Sequence, residues 1–226
     1  MERKIILTED GSNSIAIPEM NVIYHSIHGA IQESKHVFIE AGLKYLLNRN
    51  VTERIDVLEV GFGTGLNALL TAIEVERTGT SIYYVALDAF PISVQEAKSL
   101  NYCQQLDRKD LQEDFIRMHE CGWNKSIAVT ENVLMHKSNS TLQQFESKTK
   151  FNLIYYDAFA PAAQPELWTK EIFQKLFLLL HQNGILVTYC SKGDVRRAMM
   201  AAGFTIKKLP GPPGKREMLR ATKFNF

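Results

Sequence analysis

The sequence contains few cysteines and no long apolar run. Its three cysteines, Cys103, Cys121 and Cys190, include no CxxC pair, which argues against both a disulfide scaffold and a zinc knuckle. No uncharged apolar run approaches the ~18 residues that a membrane span requires. Residues 1–10 also lack the basic-then-apolar pattern of a secretion signal. These absences predict a protein of the reducing cytoplasm with no membrane partner.

Internal repeats, low-complexity tracts and an obvious linker are also absent from the 226 residues. A chain of this length suits one large α/β domain or two small ones. The net charge of +1 hides an uneven distribution, because residues 190–226 carry a net charge of +7 and the remainder −6. This polarity suggests a face for an anionic partner, with a solvated basic surface as the equally weighted alternative.

Strands and helices alternate along the chain after a predicted hairpin at residues 4–18, where apolar residues alternate around Asp10-Gly11. The predicted strands cover residues 55–60, 82–87, 133–136, 151–156 and 185–189, with a final pair at 204–209 and 218–224. The predicted helices cover residues 34–47, 66–78, 165–181 and 194–202, with further segments between 93 and 119 and after Ser140.

Near-continuously apolar strands in repeated βα units are typical of a parallel sheet covered on both faces. We therefore predict an α/β fold of the Rossmann-like class I methyltransferase type, with a mostly parallel twisted sheet. Residues 1–50 would form a hairpin and helix extension packed on a core domain of residues 51–226. In such sheets, ligands bind outside the carboxyl ends of the strands.

A glycine loop follows the first strand of this sheet, in the stretch "VLEVGFGTGLN" at residues 57–67. The pattern is GxGxG, and the third glycine of a dinucleotide fingerprint is replaced by Leu66. Glu59 would repel a pyrophosphate but suits a cofactor with a cationic end. Asp88 ends the next strand, where an acid accepts both ribose hydroxyls. Packing glycines without a ligand are the alternative interpretation.

Together these residues resemble the S-adenosylmethionine site of class I methyltransferases. Those enzymes often carry an acidic residue beside the adenine, and Ser138 aligns with that position here. The resemblance implies a cofactor site made of Glu59, Gly61, Phe62, Gly63, Thr64, Gly65, Asn67, Asp88 and Ser138. No metal site is predicted, because His25 and His28 have no partner ligands in the sequence.

A carboxylate, Asp157, follows a buried strand in "NLIYYDAFAPAAQPELW", at residues 152–168. This strand should lie beside the glycine-loop strand, at the ligand-binding edge. A carboxylate there can recruit a substrate ammonium, orient it and help to remove its proton. Prolines would stiffen the loop, and alanines would leave room for a bulky substrate. A helix-capping or loop-bonding aspartate is the alternative.

Longer strings resemble the MnmD family of tRNA methyltransferases, the methyltransferase half of the two-part enzyme MnmC. They are "VIYHSIHGAIQESKHVFIEAGL", "VGFGTGLNAL", "YYDAFAPAAQPELWTKEIF", "GILVTYCSKGDVRRAMMAAGF" and "GKREML", which span nearly the whole chain. The resemblance implies S-adenosylmethionine-dependent N-methylation of the 5-aminomethyl group on the wobble 2-thiouridine of tRNA. It assigns the catalytic role to Asp157. MnmC also carries a flavin-dependent oxidase, which we expect here to be absent or supplied by a separate protein.

A tRNA partner agrees with the basic C-terminal segment, since Lys and Arg contacts to phosphates dominate nucleic-acid affinity. Exposed wobble bases are read by stacking on aromatic side chains, and Phe159 and Trp168 are candidates, although core packing is slightly favoured for Trp168. Arg197, Lys215 and Arg216 are candidate phosphate contacts, with solvated charges or a structural ion pair as alternatives.

Two rival functions remain open at this point. An aminopropyltransferase of the spermidine synthase type would share the fold, a sulfonium cofactor and carboxylates at strand ends. Such enzymes hold a polyamine with several acids, and the basic segment argues against one. A non-catalytic module that presents tRNA to a partner is the other, and the presence of Glu59, Asp88 and Asp157 argues against it.

Overall fold

The computed structural model describes residues 2–49 and 54–224. The expected boundary between the N-terminal extension and the core domain, at residues 50 and 51, lies outside these ranges. The division of the chain into two parts therefore stays a prediction. No helix within the described ranges combines the length and the apolar character that crossing a bilayer requires.

A small antiparallel sheet lies near the N-terminus. Its strands are β1 (Lys4–Leu7), β2 (Asn13–Ile17) and β3 (Val22–Ile23), with β2 in the middle. The turn between β1 and β2 contains Gly11 at φ +80°, a conformation that glycine adopts without a steric penalty. Asn101 fastens this turn to the rest of the chain, because its side chain donates to the Gly11 carbonyl at 2.9 Å. The predicted hairpin is confirmed.

The main sheet has eight strands, which are β4 (Arg54–Val60), β5 (Ser81–Leu87), β6 (Lys125–Thr130), β7 (Val133–Ser138), β8 (Phe151–Tyr156), β9 (Leu180–Thr188), β10 (Thr205–Pro210) and β11 (Glu217–Thr222). Their spatial order is β10-β11-β9-β8-β4-β5-β7-β6. The five central strands, from β9 to β7 in this order, run parallel. At one edge β6 pairs antiparallel with β7, and at the other β11 pairs antiparallel with both β9 and β10. The predicted Rossmann-like, mostly parallel sheet is confirmed.

Helices cover both faces of this sheet. They are α1 (Ala30–Ser34), a π-helical stretch (Lys35–Lys44) that continues into α2 (Tyr45–Leu47), α3 (Leu66–Thr78), α4 (Val94–Lys98), α5 (Tyr102–Gln105), α6 (Gln112–Glu120), α7 (Lys170–Leu179) and α8 (Gly193–Ala201). Short 3₁₀ turns lie at Pro18–Met20, Lys109–Leu111 and Pro165–Leu167. A capping box formed by Ser93 and Glu96 begins α4, and the Thr169 hydroxyl caps α7.

Two apolar clusters, one on each face, hold the sheet between the helices. Successive residues of a strand point to opposite faces, so Val57 and Tyr84 join one cluster while Leu58 and Val85 join the other. All four side chains are buried. This double burial explains why the central strands read as continuous apolar runs rather than as alternating ones.

The structure differs from the sequence prediction at three elements. The helix expected after Ser140 is wrong, because the chain there makes a single turn in which Thr141 accepts a hydrogen bond from the Gln144 amide. Strand β6 was not predicted, since its largely exposed edge has no continuous apolar run. The helix predicted at residues 165–181 is shorter, as it begins only after the Thr169 cap and gives way to β9.

Candidate active site

A cavity of about 570 Å³ opens at the carboxyl ends of β4, β5 and β8. Its wall includes the glycine loop after β4, Asp88 after β5, residues 140–143 after β7, and the loop after β8. Residues near the N-terminus, among them Arg3 and Tyr24, close one side. The volume lies within the range of small-molecule sites. The sheet edge that the sequence selects therefore carries a cavity of ligand size.

The glycine loop turns back sharply at the end of β4. Gly61, Gly63 and Gly65 all have positive φ, at +92°, +51° and +74°. The amides of Gly61 and Phe62 both donate to the Leu87 carbonyl at 3.0 Å, which fixes the loop to β5. A Cβ on Gly61 would lie 2.6 Å from the Asp157 carbonyl oxygen. The loop after β4 therefore packs directly against the loop after β8.

Replacing Gly61 with alanine should therefore destabilise the fold by more than its backbone strain alone, which is about 1–3 kcal/mol. Gly79 is a matched control, because its φ is +69° but nothing lies within 4 Å of an added Cβ. Urea denaturation of the two alanine variants measures the difference in the free energy of unfolding. Equal losses at both positions would contradict the contact with the Asp157 carbonyl.

Asp88 lies in the cavity wall with both carboxylate oxygens engaged. Oδ2 accepts from the Gly63 amide at 2.9 Å, and Oδ1 accepts from the Phe90 amide at 2.8 Å. Burial raises the pKa of this carboxyl, although the two amide hydrogen bonds act in the opposite direction. Each carboxylate oxygen offers about two lone-pair sites, so Asp88 can accept two further hydrogen bonds from a ligand.

Glu59 lies beneath the cavity wall and is completely buried. Its Oε1 accepts from Asn67 Nδ2 at 2.9 Å and its Oε2 accepts from the Tyr84 hydroxyl at 2.8 Å. Burial raises its pKa well above the usual range, and the nearby Asp157 adds to this effect. Its immediate partners are thus protein groups, and direct contact between Glu59 and a cofactor stays a prediction.

Asn67 links Glu59 to Asp157. The same Nδ2 that contacts Glu59 also donates to Asp157 Oδ2 at 2.9 Å, so both amide protons are used by carboxylates. Asn67 is the second residue of α3, directly after the glycine loop, and it lines the cavity. The structure therefore brings the glycine loop, Glu59 and Asp157 together through one side chain.

Asp157 is a carboxyl that titrates near neutral pH. Burial raises its pKa to about 7, and the negative charge of Glu33 acts in the same direction. The hydrogen bond from Asn67 and the positive charge of Lys215 lower it. Its side chain lines the cavity, and its amide donates to the Val60 carbonyl at 3.0 Å. Such a group can take up and release a proton under neutral conditions.

The loop after Asp157 is held by side-chain hydrogen bonds to its backbone. The Tyr189 hydroxyl donates to the Ala158 carbonyl at 2.9 Å, and the Trp168 indole donates to the Phe159 carbonyl at 2.8 Å. Phe159 lines the cavity and packs edge-on against Tyr24, with ring centroids 5.1 Å apart. These bonds keep Asp157 in a fixed position beside the glycine loop.

Two candidate residues, Ser138 and Trp168, do not line the cavity. The Ser138 hydroxyl lies 3.0 Å from Ser140 Oγ, and Ser140 lines the cavity instead of Ser138. Trp168 is only 6% exposed and packs in the apolar core, as the favoured alternative has it, and base stacking by Trp168 stays a prediction. Phe62 and Thr64 do line the cavity, as the glycine loop predicts.

The basic candidates are spread over the surface. Arg197 on α8 and Arg216 before β11 are exposed, and neither lines the cavity. Lys215 instead donates to the buried carboxylate of Glu33, so the structural ion pair foreseen as an alternative is present. A direct phosphate contact by any of the three stays a prediction.

Sequence reasoning missed Arg3, which fastens the N-terminal segment to the cavity rim. Its guanidinium donates to the Phe90 carbonyl at 2.6 Å and to the Pro91 carbonyl at 3.1 Å, and it pairs with Glu96. It also missed Glu33 and Tyr189 beside Asp157. These residues lie far from the glycine and aspartate motifs in sequence, and no local pattern marks them.

A family model described as S-adenosyl-L-methionine-dependent methyltransferase matches residues 105–224. The tRNA 5-methylaminomethyl-2-thiouridine biosynthesis bifunctional protein MnmC of Pseudomonas syringae pv. syringae is 31% identical over 215 residues, covering 88% of this chain and 31% of that protein. MnmC of Leptospira interrogans is 28% identical over 207 residues, covering 87% of this chain and 32% of that protein. The chain thus spans about a third of the length of these relatives.

Solved structures agree on the fold. The crystal structure of MNMC2 from Aquifex aeolicus has a TM-score of 0.78 and 24% identity, covering 99% of this chain and 71% of that one. A S-adenosylmethionine-dependent methyltransferase from Clostridium acetobutylicum has a TM-score of 0.50 and 12% identity, covering 86% and 92%. At these identities the likeness concerns the Rossmann-like architecture alone.

Proposed function

Because the chain belongs to the family of S-adenosyl-L-methionine-dependent methyltransferases, we propose that it methylates the amine of 5-aminomethyl-2-thiouridine at the tRNA wobble position. The product would be 5-methylaminomethyl-2-thiouridine. The observation that carries the proposal is Asp157, a carboxyl in the cavity wall whose pKa burial raises to about 7. The names of the Pseudomonas and Leptospira relatives support this choice of nucleoside.

The cavity fits S-adenosylmethionine in size and in chemistry. Asp88 keeps acceptor sites for the ribose hydroxyls, and Ser140 offers a hydroxyl where the adenine would lie. Leu87 and Leu142 supply apolar wall for the adenine ring. The glycine loop, with Asn67 behind it, would hold the methionine end. We therefore assign the cofactor to this cavity, with Ser140 in place of Ser138.

When bound, S-adenosylmethionine supplies an electrophilic methyl group carried by a sulfonium. An alkyl amine is mostly protonated at neutral pH and has no free lone pair in that form. The Asp157 carboxylate would attract the ammonium, align its nitrogen and accept its proton, which frees the lone pair for in-line attack. Asn67 and the bonds from Tyr189 and Trp168 hold this carboxylate in place.

The C-terminal charge supports tRNA as the macromolecular partner. Exposed basic residues of this segment include Lys192, Arg197, Lys207 and Arg216. Cations on one part of a surface attract the phosphate backbone in a salt-dependent manner, whereas they would repel a free polyamine. Neither the charge nor the family match favours the aminopropyltransferase alternative.

The proposed function predicts transfer of labelled methyl from S-adenosylmethionine to tRNA that carries unmethylated 5-aminomethyl-2-thiouridine. Digestion to nucleosides should place the label in 5-methylaminomethyl-2-thiouridine. The same tRNA isolated in its fully methylated form is the control and should take up none. Tight tRNA binding without any label in the nucleosides would favour the non-catalytic module, and the proposal would then be withdrawn.

A further inference from the structure

A partly buried ion pair borders the loop that carries Asp157, with Glu33 as its buried member. Lys215 Nζ donates to Glu33 Oε1, and the Glu33 side chain is only 7% exposed. The second oxygen of Glu33 accepts from the Ser26 amide at 2.7 Å, which fixes the carboxylate on α1. Because the Ser26 amide holds the Glu33 carboxylate, which in turn holds the Lys215 ammonium, the two charges have defined positions relative to the cavity.

The aromatic ring of Tyr189 connects this pair to the Asp157 loop. Lys215 Nζ lies 4.0 Å from the Tyr189 ring centroid, in a cation–π contact. The hydroxyl of the same tyrosine donates to the Ala158 carbonyl at 2.9 Å. The charges of Lys215 and Glu33 both reach the carboxyl of Asp157, with opposite effects on its pKa.

We propose that Lys215 and Glu33 are positioning residues whose opposed charges set the protonation of Asp157 and of the amine bound beside it. This inference rests on the proposed methylation of an amine. It assigns no contact with substrate to either residue. Lys215 acts through its charge, and Glu33 holds Lys215 against Tyr189 while partly offsetting that charge.

The physical reason is that the amine must lose a proton before it can attack. In this step the N–H bond of the ammonium breaks, the proton passes to a carboxylate oxygen of Asp157, and the electron pair stays on nitrogen. A nearby cation disfavours the ammonium form and favours the ionised carboxylate before transfer. A nearby anion has the reverse effect on both groups, so Glu33 limits the influence of Lys215.

Other groups also face Asp157 and must stay constant in any test. They come from each element packed around it and are Glu59 on β4, Asn67 on α3, Tyr84 on β5, Tyr102 on α5 and Tyr189 after β9. None of them is replaced when Lys215 or Glu33 is substituted, but Lys215→Met removes the cation–π contact with Tyr189. A change in titration is therefore assigned to the charges of the pair only where Lys215→Met and Glu33→Gln shift it in opposite directions.

The test compares Lys215→Met with Glu33→Gln, two substitutions that remove one charge and keep most of the side-chain shape. We expect Lys215→Met to move the titration of the Asp157 carboxyl upward by about one pH unit, and Glu33→Gln to move it downward by a similar amount. Carboxyl-labelled NMR follows this without substrate. The rising limb of kcat/KM against pH should shift in the same two directions.

Opposite shifts distinguish charge control from a structural role, because breaking a structural ion pair from either side has the same effect. Lys215→Arg keeps the charge and should leave the titration of the Asp157 carboxyl unchanged. This variant also tests the inference if Lys215→Met folds poorly. The exposed pair of Lys208 and Glu217, 2.8 Å apart, is the matched control and should shift nothing on neutralisation.

Shifts of equal sign, or none, would overturn the inference whether or not the enzyme methylates tRNA. If the carboxyl titration moves as expected but no tRNA nucleoside is methylated, the proposed substrate is wrong and the electrostatic role of the pair stands.

Discussion

Replacing Asp157 with asparagine is expected to lower kcat for methyl transfer by about 10²- to 10⁴-fold, the usual contribution of a positioned acid–base group. Asparagine still accepts the hydrogen bond from Asn67 but cannot take a proton from the ammonium. The affinity for S-adenosylmethionine, measured by calorimetry, should stay close to that of the wild type. A variant that loses cofactor binding instead would show that Asp157 holds the cofactor and does not act on the amine.

The same substitution should raise thermal stability at alkaline pH. An unfolded aspartate titrates near pH 4, whereas burial raises the pKa of folded Asp157 to about 7. The folded state thus binds more protons between these values, and its stability falls as pH rises through that window. Asparagine does not titrate, so the Tm of the variant should exceed the Tm of the wild type by more at pH 8 than at pH 4. A gain independent of pH would contradict the raised pKa.

Much of the site can be predicted from the sequence because it lies where parallel strands end. The apolar runs before Gly61, Asp88 and Asp157 identify three strands whose carboxyl ends meet at one edge. The sequence therefore places the glycine loop and both carboxylates close together, although it shows none of the contacts between them. The alternation of strands and helices predicts the sheet for the same reason, since burial on both faces leaves a clear apolar pattern.

The remainder depends on contacts between distant segments. Lys215 and Glu33 are 182 residues apart, and each sits in a stretch whose local pattern describes only its own helix or loop. Arg3 reaches the Phe90 carbonyl across 87 residues. Ser138 aligns with a family position, but it is the last residue of β7, and the cavity is lined two residues later by Ser140. Periodicity cannot supply information of this kind.

Replacing Asp88 with alanine is expected to weaken S-adenosylmethionine binding by about 10²-fold, since hydrogen bonds to a charged group contribute about 1.5–3 kcal/mol. The loss has two sources. The ribose hydroxyls lose their acceptor, and the amides of Gly63 and Phe90 lose the carboxylate that orders the cavity rim. Asp88→Asn keeps one acceptor oxygen and should cost about tenfold. Calorimetric titration of each variant measures the dissociation constant.

Ser138→Ala provides the control, because Ser138 does not line the cavity and its hydroxyl contacts Ser140. Its affinity for the cofactor should match that of the wild type, whereas Ser140→Ala should weaken binding. At saturating cofactor the Asp88 variants should recover most of their kcat, since Asp157 and Asn67 are untouched. If Ser138→Ala weakened binding as strongly as Asp88→Ala, the adenine would lie nearer to β7 than the cavity wall indicates, and Ser138 would regain the role that its alignment suggests.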